Sequence, residues 1–222
     1  RNANIDDFKL CAEQLANRGY FVFRMGVKVN KSLETDNPKI IDYANSDLRS
    51  DFMDVYLGAK CFFCISTGYG FQDIPYIFGV PIVHLTSTLG ELFTFNEKNI
   101  LLSKHHYSLK KKRNLNISEI FSNRLAYVET SDTFDKKDIK IVDLSPIEIT
   151  EAVLEMEKKL TKSKNLNEYE IKLQKNFKEL YKYNIEKFDY KKEMKTPVRA
   201  LHGQIKARYS TEFLKKNISW LK

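Results

Sequence analysis

An α/β fold built on a doubly wound parallel sheet is what this sequence predicts, and three observations predict it. Short apolar runs alternate with amphipathic stretches from residue 4 to residue 86. The run Cys61–Ile65 is too short for a helix and breaks at once into Ser66-Thr67-Gly68-Tyr69-Gly70. A second apolar run, Ile82–Leu85, follows Pro81, so that strand, glycine-rich loop, short helix and strand describe one parallel crossover. Ligands of such sheets bind at the carboxyl ends of the strands, which is where the Ser66–Gly70 loop falls.

Taken in order, Asn4 or Asp6 can cap a first helix in which Phe8, Cys11, Ala12 and Leu15 share a face, and Gly19 ends it. Tyr20–Phe23 reads as a strand running into Arg24-Met25-Gly26, residues 27–38 as a loop, and Lys39–Tyr43 as the next short strand. Ser46 is expected to cap a helix with Leu48, Phe52, Val55 and Tyr56 on one face, closed by Gly58. Beyond the central loop, Asp73 is expected to cap a short helix, Pro75 fits only its first turn, and Gly79 ends it. From Ser87 the pattern loosens. Residues 87–99 read as a loop around Leu89-Gly90-Glu91, and Lys104–Arg113 as an exposed charge run containing five cations, His105 and His106.

Ser118–Phe121 reads as a short helix and Ile139–Val142 as a late strand. Ser145-Pro146-Ile147-Glu148 is a capping box with proline at the first helical position, opening a helix with Ile149, Ala152, Val153, Met156 and Leu160 on one face. A further helix runs from about Glu168, with Tyr169, Leu173, Phe177, Leu180 and Phe188 at helical spacing. The ending starts from Ser210 and is expected to bury Phe213, Leu214, Trp220 and Leu221. The predicted division is an α/β domain over residues 1–160 and a basic helical extension over 161–222 that packs on it. The domain is expected to be incomplete at its start, because a sheet of this class opens on a strand and none precedes Asn4.

With 222 residues, 42% of them apolar, the chain is long enough for one sizeable domain. No stretch approaches eighteen consecutive apolar residues, so no membrane helix is expected, and the start lacks a signal-peptide layout. Cys11, Cys61 and Cys64 provide no disulfide framework; the Cys61-x-x-Cys64 pair reads as buried core thiols in a reducing cytoplasm. The net charge of +8 is unevenly placed: residues 1–157 carry 19 Lys and Arg against 22 Asp and Glu, residues 158–222 carry 18 against 7. A basic helical tail of this kind can touch anionic lipid or nucleic acid, although a solvated helix face explains it more plainly. It lacks the aromatic and glycine pattern of a nucleic-acid platform, so nucleic acid is not an expected partner.

Two hydroxyls and several N–H groups converge at Ser66–Gly70, an environment that suits a phosphate or diphosphate. The spacing is neither G-x-G-x-x-G nor a Walker loop, and a ligand-free turn explains it equally well. Arg24 ends a strand on the same edge and can grip phosphate; its structural alternative is an ion pair with Asp42 or Asp51. Asp42, Tyr43, Ser46 and Arg49 could contact a base or sugar, while helix capping explains Ser46 as well. His84 reads as a satisfied core histidine. Motifs of zinc proteases, serine hydrolases and deaminases are absent, as is any D-x-D pair, so no metal is expected.

The stretches RNANIDDF, GYFVFRMG, IIDYANSDLRSDFMDVYLGAKCFFCISTGYGFQDIPYIFGVPIV and FLKKNISWL resemble a family of bacterial glycosyltransferases of unassigned specificity, found in surface-polysaccharide gene clusters. The resemblance covers most of the chain and is densest at 18–84. It implies a metal-independent GT-B enzyme of two Rossmann-like domains, this chain being mainly the second, donor-binding one, with an upstream strand and an acceptor domain lying elsewhere. Arg24 and Gly26 would border the donor diphosphate, Ser66, Thr67, Gly68 and Gly70 would form the phosphate loop, and Tyr43, Ser46 and Arg49 would lie near the nucleoside. Tyr69 stands where the family has a smaller residue and would reshape the loop. The implied partners are a nucleotide-sugar and a glycan or lipid-linked acceptor, in the cytoplasm or peripherally at the inner membrane through the basic tail. No cofactor is implied, no catalytic residue is assigned, and the chain is not expected to turn over alone. The alternatives are a non-catalytic module whose basic tail binds nucleic acid or anionic membrane, and a GT-B type nucleotide-sugar epimerase.

Overall fold

Parallel strand pairing organises the computed structural model, which describes residues 3–68, 70–86, 89, 96–126, 128, 130–162, 166–188 and 205–222. In chain order the first half runs α1 (Lys9–Ala16), β1 (Val22–Phe23), β2 (Ile40–Ile41), α2 (Asp51–Lys60), β3 (Cys64–Ser66), α3 (Asp73–Ile77) and β4 (Ile82–Thr86). The second half runs β5 (Ile100–Ser103), β6 (His105–Ser108), β7 (Arg113–Asn114), α4 (Ile117–Ser122), α5 (Ser131–Asp135), β8 (Ile139–Val142), α6 (Pro146–Thr161), α7 (Glu168–Lys187), β9 (Arg208–Tyr209) and α8 (Thr211–Lys216). The class is α/β. Strands β3-β4-β5-β9 form a four-stranded sheet, parallel throughout, with Cys64 opposite Ile82, Leu85 opposite Leu102 and Leu101 opposite Tyr209. Strands β1 and β2 pair in parallel as a separate ribbon, and β7-β6-β8 form a small antiparallel sheet.

The core lies where α6, α7 and α8 meet β4, β5 and β9. Val83, Leu85, Ile100, Leu101 and Leu102 are buried against Met156, Phe177, Leu214 and Trp220. Burial on both faces is what a central parallel strand demands, and β5 meets it at every position. Tyr209 anchors the far end: its ring lies 4.7 Å from Phe177 and 5.0 Å from Trp220, and its hydroxyl bonds the Ser103 N–H at 3.1 Å and the Ser103 hydroxyl at 2.8 Å.

Many boundaries agree with local capping chemistry. Asn4 accepts from the Asp6 N–H, Ser145 and Glu148 complete the box before α6, and Ser210 accepts from the Phe213 N–H at the start of α8. Phe213, Leu214, Trp220 and Leu221 are buried as expected. Several expectations are corrected. Ser50, not Ser46, caps α2, by accepting from the Met53 N–H. Gly58 lies inside α2 rather than at its end. A Cβ there would meet Ile74 Cγ2 at 2.8 Å, so the glycine lets α3 approach. The face of Leu48, Phe52, Val55 and Tyr56 is exposed, Leu48 and Phe52 at 73%. Gln72, not Asp73, precedes α3, and Asn116 rather than Ser118 opens the helix through Phe121. Cys61 closes α2 and leaves only Cys64–Ser66 as strand.

The charge run is also different from its reading. Residues 105–114 form the β6–β7 hairpin, which pairs antiparallel with Ile139–Val142. His106 is buried against the Phe134 ring, 5.8 Å away, and burial pulls it down to about 4. His105 bonds Glu148 at 2.7 Å instead of facing water. The ending is not purely helical, since Arg208–Tyr209 returns as a strand of the main sheet. The expected loop around Leu89-Gly90-Glu91 lies largely outside the described residues. Among the described residues, no helix is long and apolar enough to cross a membrane.

Candidate functional site

Two groups of the predicted residues gather at the carboxyl ends of parallel strands. The first follows β1 and β2. Arg24 Nη1 reaches Asp42 Oδ1 at 2.9 Å, with both side chains largely buried. Asp42 also accepts from the Leu33 N–H at 2.9 Å and from Asn45 at 2.7 Å. Burial pushes its carboxyl up, and these bonds together with Arg24 outweigh that and hold it below the usual carboxylate range. The ion pair weighed as the structural alternative for Arg24 is therefore present. It consumes one guanidinium nitrogen and orients the rest. Gly26 holds φ at +152°, and a Cβ there would meet Val29 Cγ1 at 2.9 Å, so only glycine carries the chain through this turn.

The three residues expected near a nucleoside serve the local frame. Tyr43 is 2% exposed, and its hydroxyl accepts from the Ser50 N–H at 3.1 Å. Ser46 closes the short 3-10 turn by donating to the Tyr43 carbonyl at 2.9 Å. Arg49 pairs with Asp54 at 2.9 Å and so ties the approach of α2 to its first turn. Tyr43 and Ser46 are spent on the local frame, while Arg49 keeps a buried Nε without a hydrogen-bond partner among the described residues.

The second group is the turn after β3. Ser66 donates to Gln72 Oε1 at 2.9 Å and accepts from the Gly68 N–H at 3.1 Å, so its hydroxyl is spent holding the turn. Gly68 and Gly70 sit at φ +92° and +71°, and a Cβ on either would meet nothing within 4 Å. That combination means an open turn whose backbone a ligand can approach. The Thr67 hydroxyl has no hydrogen-bond partner among the described residues. Tyr69 lies outside the described residues. Helix α3 is only five residues long, so its dipole adds little at the turn. Among the described residues no hydrogen bond or ion pair joins this turn to the Arg24 group.

His84 lies beside Ser66 in the neighbouring strand, and burial pulls it down to about 4. The neutral ring accepts from Asn99 Nδ2 at 3.2 Å while Asn99 Oδ1 takes the Ile82 N–H at 2.8 Å, which makes it the satisfied core histidine the sequence suggested. Cys61 and Cys64 are pushed up by burial to about 11 and about 12, which suits inert thiols rather than nucleophiles.

The position of Asn99 carried no signal in the sequence, since its role depends on β5 lying beside β4. No family model, curated protein or solved structure matches this chain.

Proposed function

We propose that this chain is the donor-binding part of a glycosyltransferase with a Rossmann-like sheet of the GT-B type, holding the diphosphate of a nucleotide-sugar at the turn after β3. The observation that carries this reading is the pair of positive-φ glycines Gly68 and Gly70, where a Cβ would meet nothing within 4 Å, beyond the carboxyl end of a parallel strand and beside a Thr67 hydroxyl without a hydrogen-bond partner among the described residues. Transfer leaves a nucleoside diphosphate whose negative charge grows as the glycosidic bond breaks. Turn amides and the Thr67 hydroxyl stabilise that charge without rearranging, and Arg24, oriented by Asp42, adds a cation from the carboxyl end of β1 in the separate β1–β2 ribbon. The general base and the acceptor site belong to other parts of such an enzyme, so transfer by this chain alone is not expected.

Thermal unfolding with UDP, GDP and CMP tests the reading. At least one should raise the melting temperature, and Gly70→Val, which forces a β-branched residue to positive φ at the turn, should abolish the shift. Three nucleotides without effect, together with a silent Arg24→Ala, would remove the basis for a donor site.

A further inference from the structure

On the edge of the main sheet opposite the Thr67–Gly70 turn, the amino ends of β5 and β9 meet α6 and α7, and three cations converge there. Lys159, near the end of α6, donates to the Glu97 carbonyl at 2.7 Å, just before β5. Lys178, in α7, reaches the Lys206 carbonyl at 3.5 Å, just before β9. Arg208 opens β9 opposite Ile100, and its N–H donates to the Asn99 carbonyl at 3.2 Å. Segments far apart in the chain thus bring their charges to neighbouring strand entrances.

All three residues are half-buried. Half-buried cations elsewhere pair with carboxylates: Arg24 with Asp42, Arg49 with Asp54, Lys104 with Asp143 and Lys215 with Glu170. Among the described residues Lys159, Lys178 and Arg208 make no such pair, and the Arg208 guanidinium has no hydrogen-bond partner. Two carboxylates lie close to Lys159. Glu155 spends Oε2 on the Thr211 N–H at 2.8 Å and the Ser210 hydroxyl at 3.2 Å, while Glu97 is exposed and offers Lys159 its backbone oxygen. Burial and then the charge of Arg208 pull Lys159 down to about 8, and the same two causes lower Lys178. Like charges held together partly out of water carry a cost that an anion between them removes.

We propose that Lys159, Lys178 and Arg208 form a second ligand site, which takes a small soluble anion bearing a phosphate or diphosphate group. The Arg208 guanidinium offers its fork to two phosphate oxygens, and the ammonium groups of α6 and α7 supply point charges. Half-buried cations converging from a strand and two helices suit a compact anion, whereas a membrane surface is met by exposed lysines along one face. The site lies on the opposite edge of the sheet from the donor turn and shares no residue with it, so it goes beyond the donor-site proposal.

Pyrophosphate titrated at fixed ionic strength by calorimetry tests it. The chain should bind it, and Lys178→Gln and Arg208→Gln should each weaken binding by about tenfold or more. Lys178 sits on a helix outside the core, so its variant reads the site even if Arg208→Gln fails to fold. Lys175→Gln and Lys182→Gln, which remove exposed charges from α7, control for net charge and should leave the affinity unchanged. Gly70→Val should also leave this binding in place, so that failure of the donor site and failure of this one read separately. Absence of pyrophosphate binding, equal weakening by the control variants, or complete loss of binding in a folded Gly70→Val chain would overturn the proposal. So would binding to phosphatidylglycerol vesicles, lost in Arg208→Gln, by a chain indifferent to pyrophosphate, because that outcome assigns the cluster to a lipid headgroup.

Discussion

Strands β5 and β3 belong to one parallel sheet, yet β5 is buried at all four positions and β3 is only half-buried at all three. The difference follows from what surrounds them. Strand β5 has a paired neighbour on each side and α6 across it, and the ring cluster of Phe177, Tyr209, Phe213 and Trp220 closes the core beyond β9. Among the described residues strand β3 has a neighbour on one side only, and α2, which follows the β1–β2 ribbon, packs on α3 while its apolar face stays in water. One half of the molecule therefore buries its strands and its apolar side chains, while the other half leaves large apolar side chains in water. The lesson is that a strand pattern in sequence marks a segment suited to burial, while the neighbours decide whether burial occurs.

The largest expected effect tests the sealed half. Phe177 is fully buried and its ring contacts Tyr209, Tyr181 and Trp220. Phe177→Ala should cost about 3–5 kcal/mol of unfolding free energy in urea titration. A loss below about 1 kcal/mol would show that this core does not hold the chain together.

An intermediate effect is expected at the His105–Glu148 contact between β6 and α6. Burial pushes the Glu148 carboxyl up, but the bond to His105 and those from the Ser145 N–H and hydroxyl outweigh it and bring it to about 2, below its ordinary 4.5. The folded value lies below the unfolded one, so this contribution is complete above about pH 4.5 and is lost as pH falls towards about 2. Glu119, brought to about 2 chiefly by Arg113, fades over the same window. Glu148→Gln should lower stability at neutral pH and leave a shallower decline between those limits, read from urea midpoints across the acid range. An unchanged slope would mean that the His105–Glu148 contact is not linked to folding.

The smallest effect belongs to the open half. Phe52 on α2 is 73% exposed and touches Tyr56 at 6.0 Å. Phe52→Ala should change stability by no more than about 0.5 kcal/mol in the same titration. A cost like that of Phe177→Ala would erase the contrast between the halves.

Legibility from sequence divides along similar lines. Caps at Asn4, Ser145 and Ser210, the strand read as Ile82–Leu85 and found as Ile82–Thr86, and the buried face of α6 all rest on interactions within a few residues, so they could be read directly. Strand β5 could not, because Ile100–Ser103 is too short to show a period and sits between a loop and a charge run. The β6–β7 hairpin was hidden because Lys112 supplies its positive φ of 54°, where glycine or asparagine would have announced a turn. Within the candidate site, the turn at Ser66–Gly70 was visible through its glycines. The engagement of Arg24 by Asp42 and the burial of Tyr43 depend on how β1 and β2 pair, which no local pattern encodes.

By itself the sequence determined the caps at Asn4, Ser145 and Ser210, the strand from Ile82, and that a glycine turn follows β3, since these depend on side chains and backbone close in the chain. Only the tertiary structure decided that β5 is central, that Gln174 bonds both the N–H and the carbonyl of Tyr209 at β9, and that the α2 face is exposed. Those outcomes depend on pairing between segments far apart in the chain, and hydrogen bonds and burial of that kind exist only once distant partners have met.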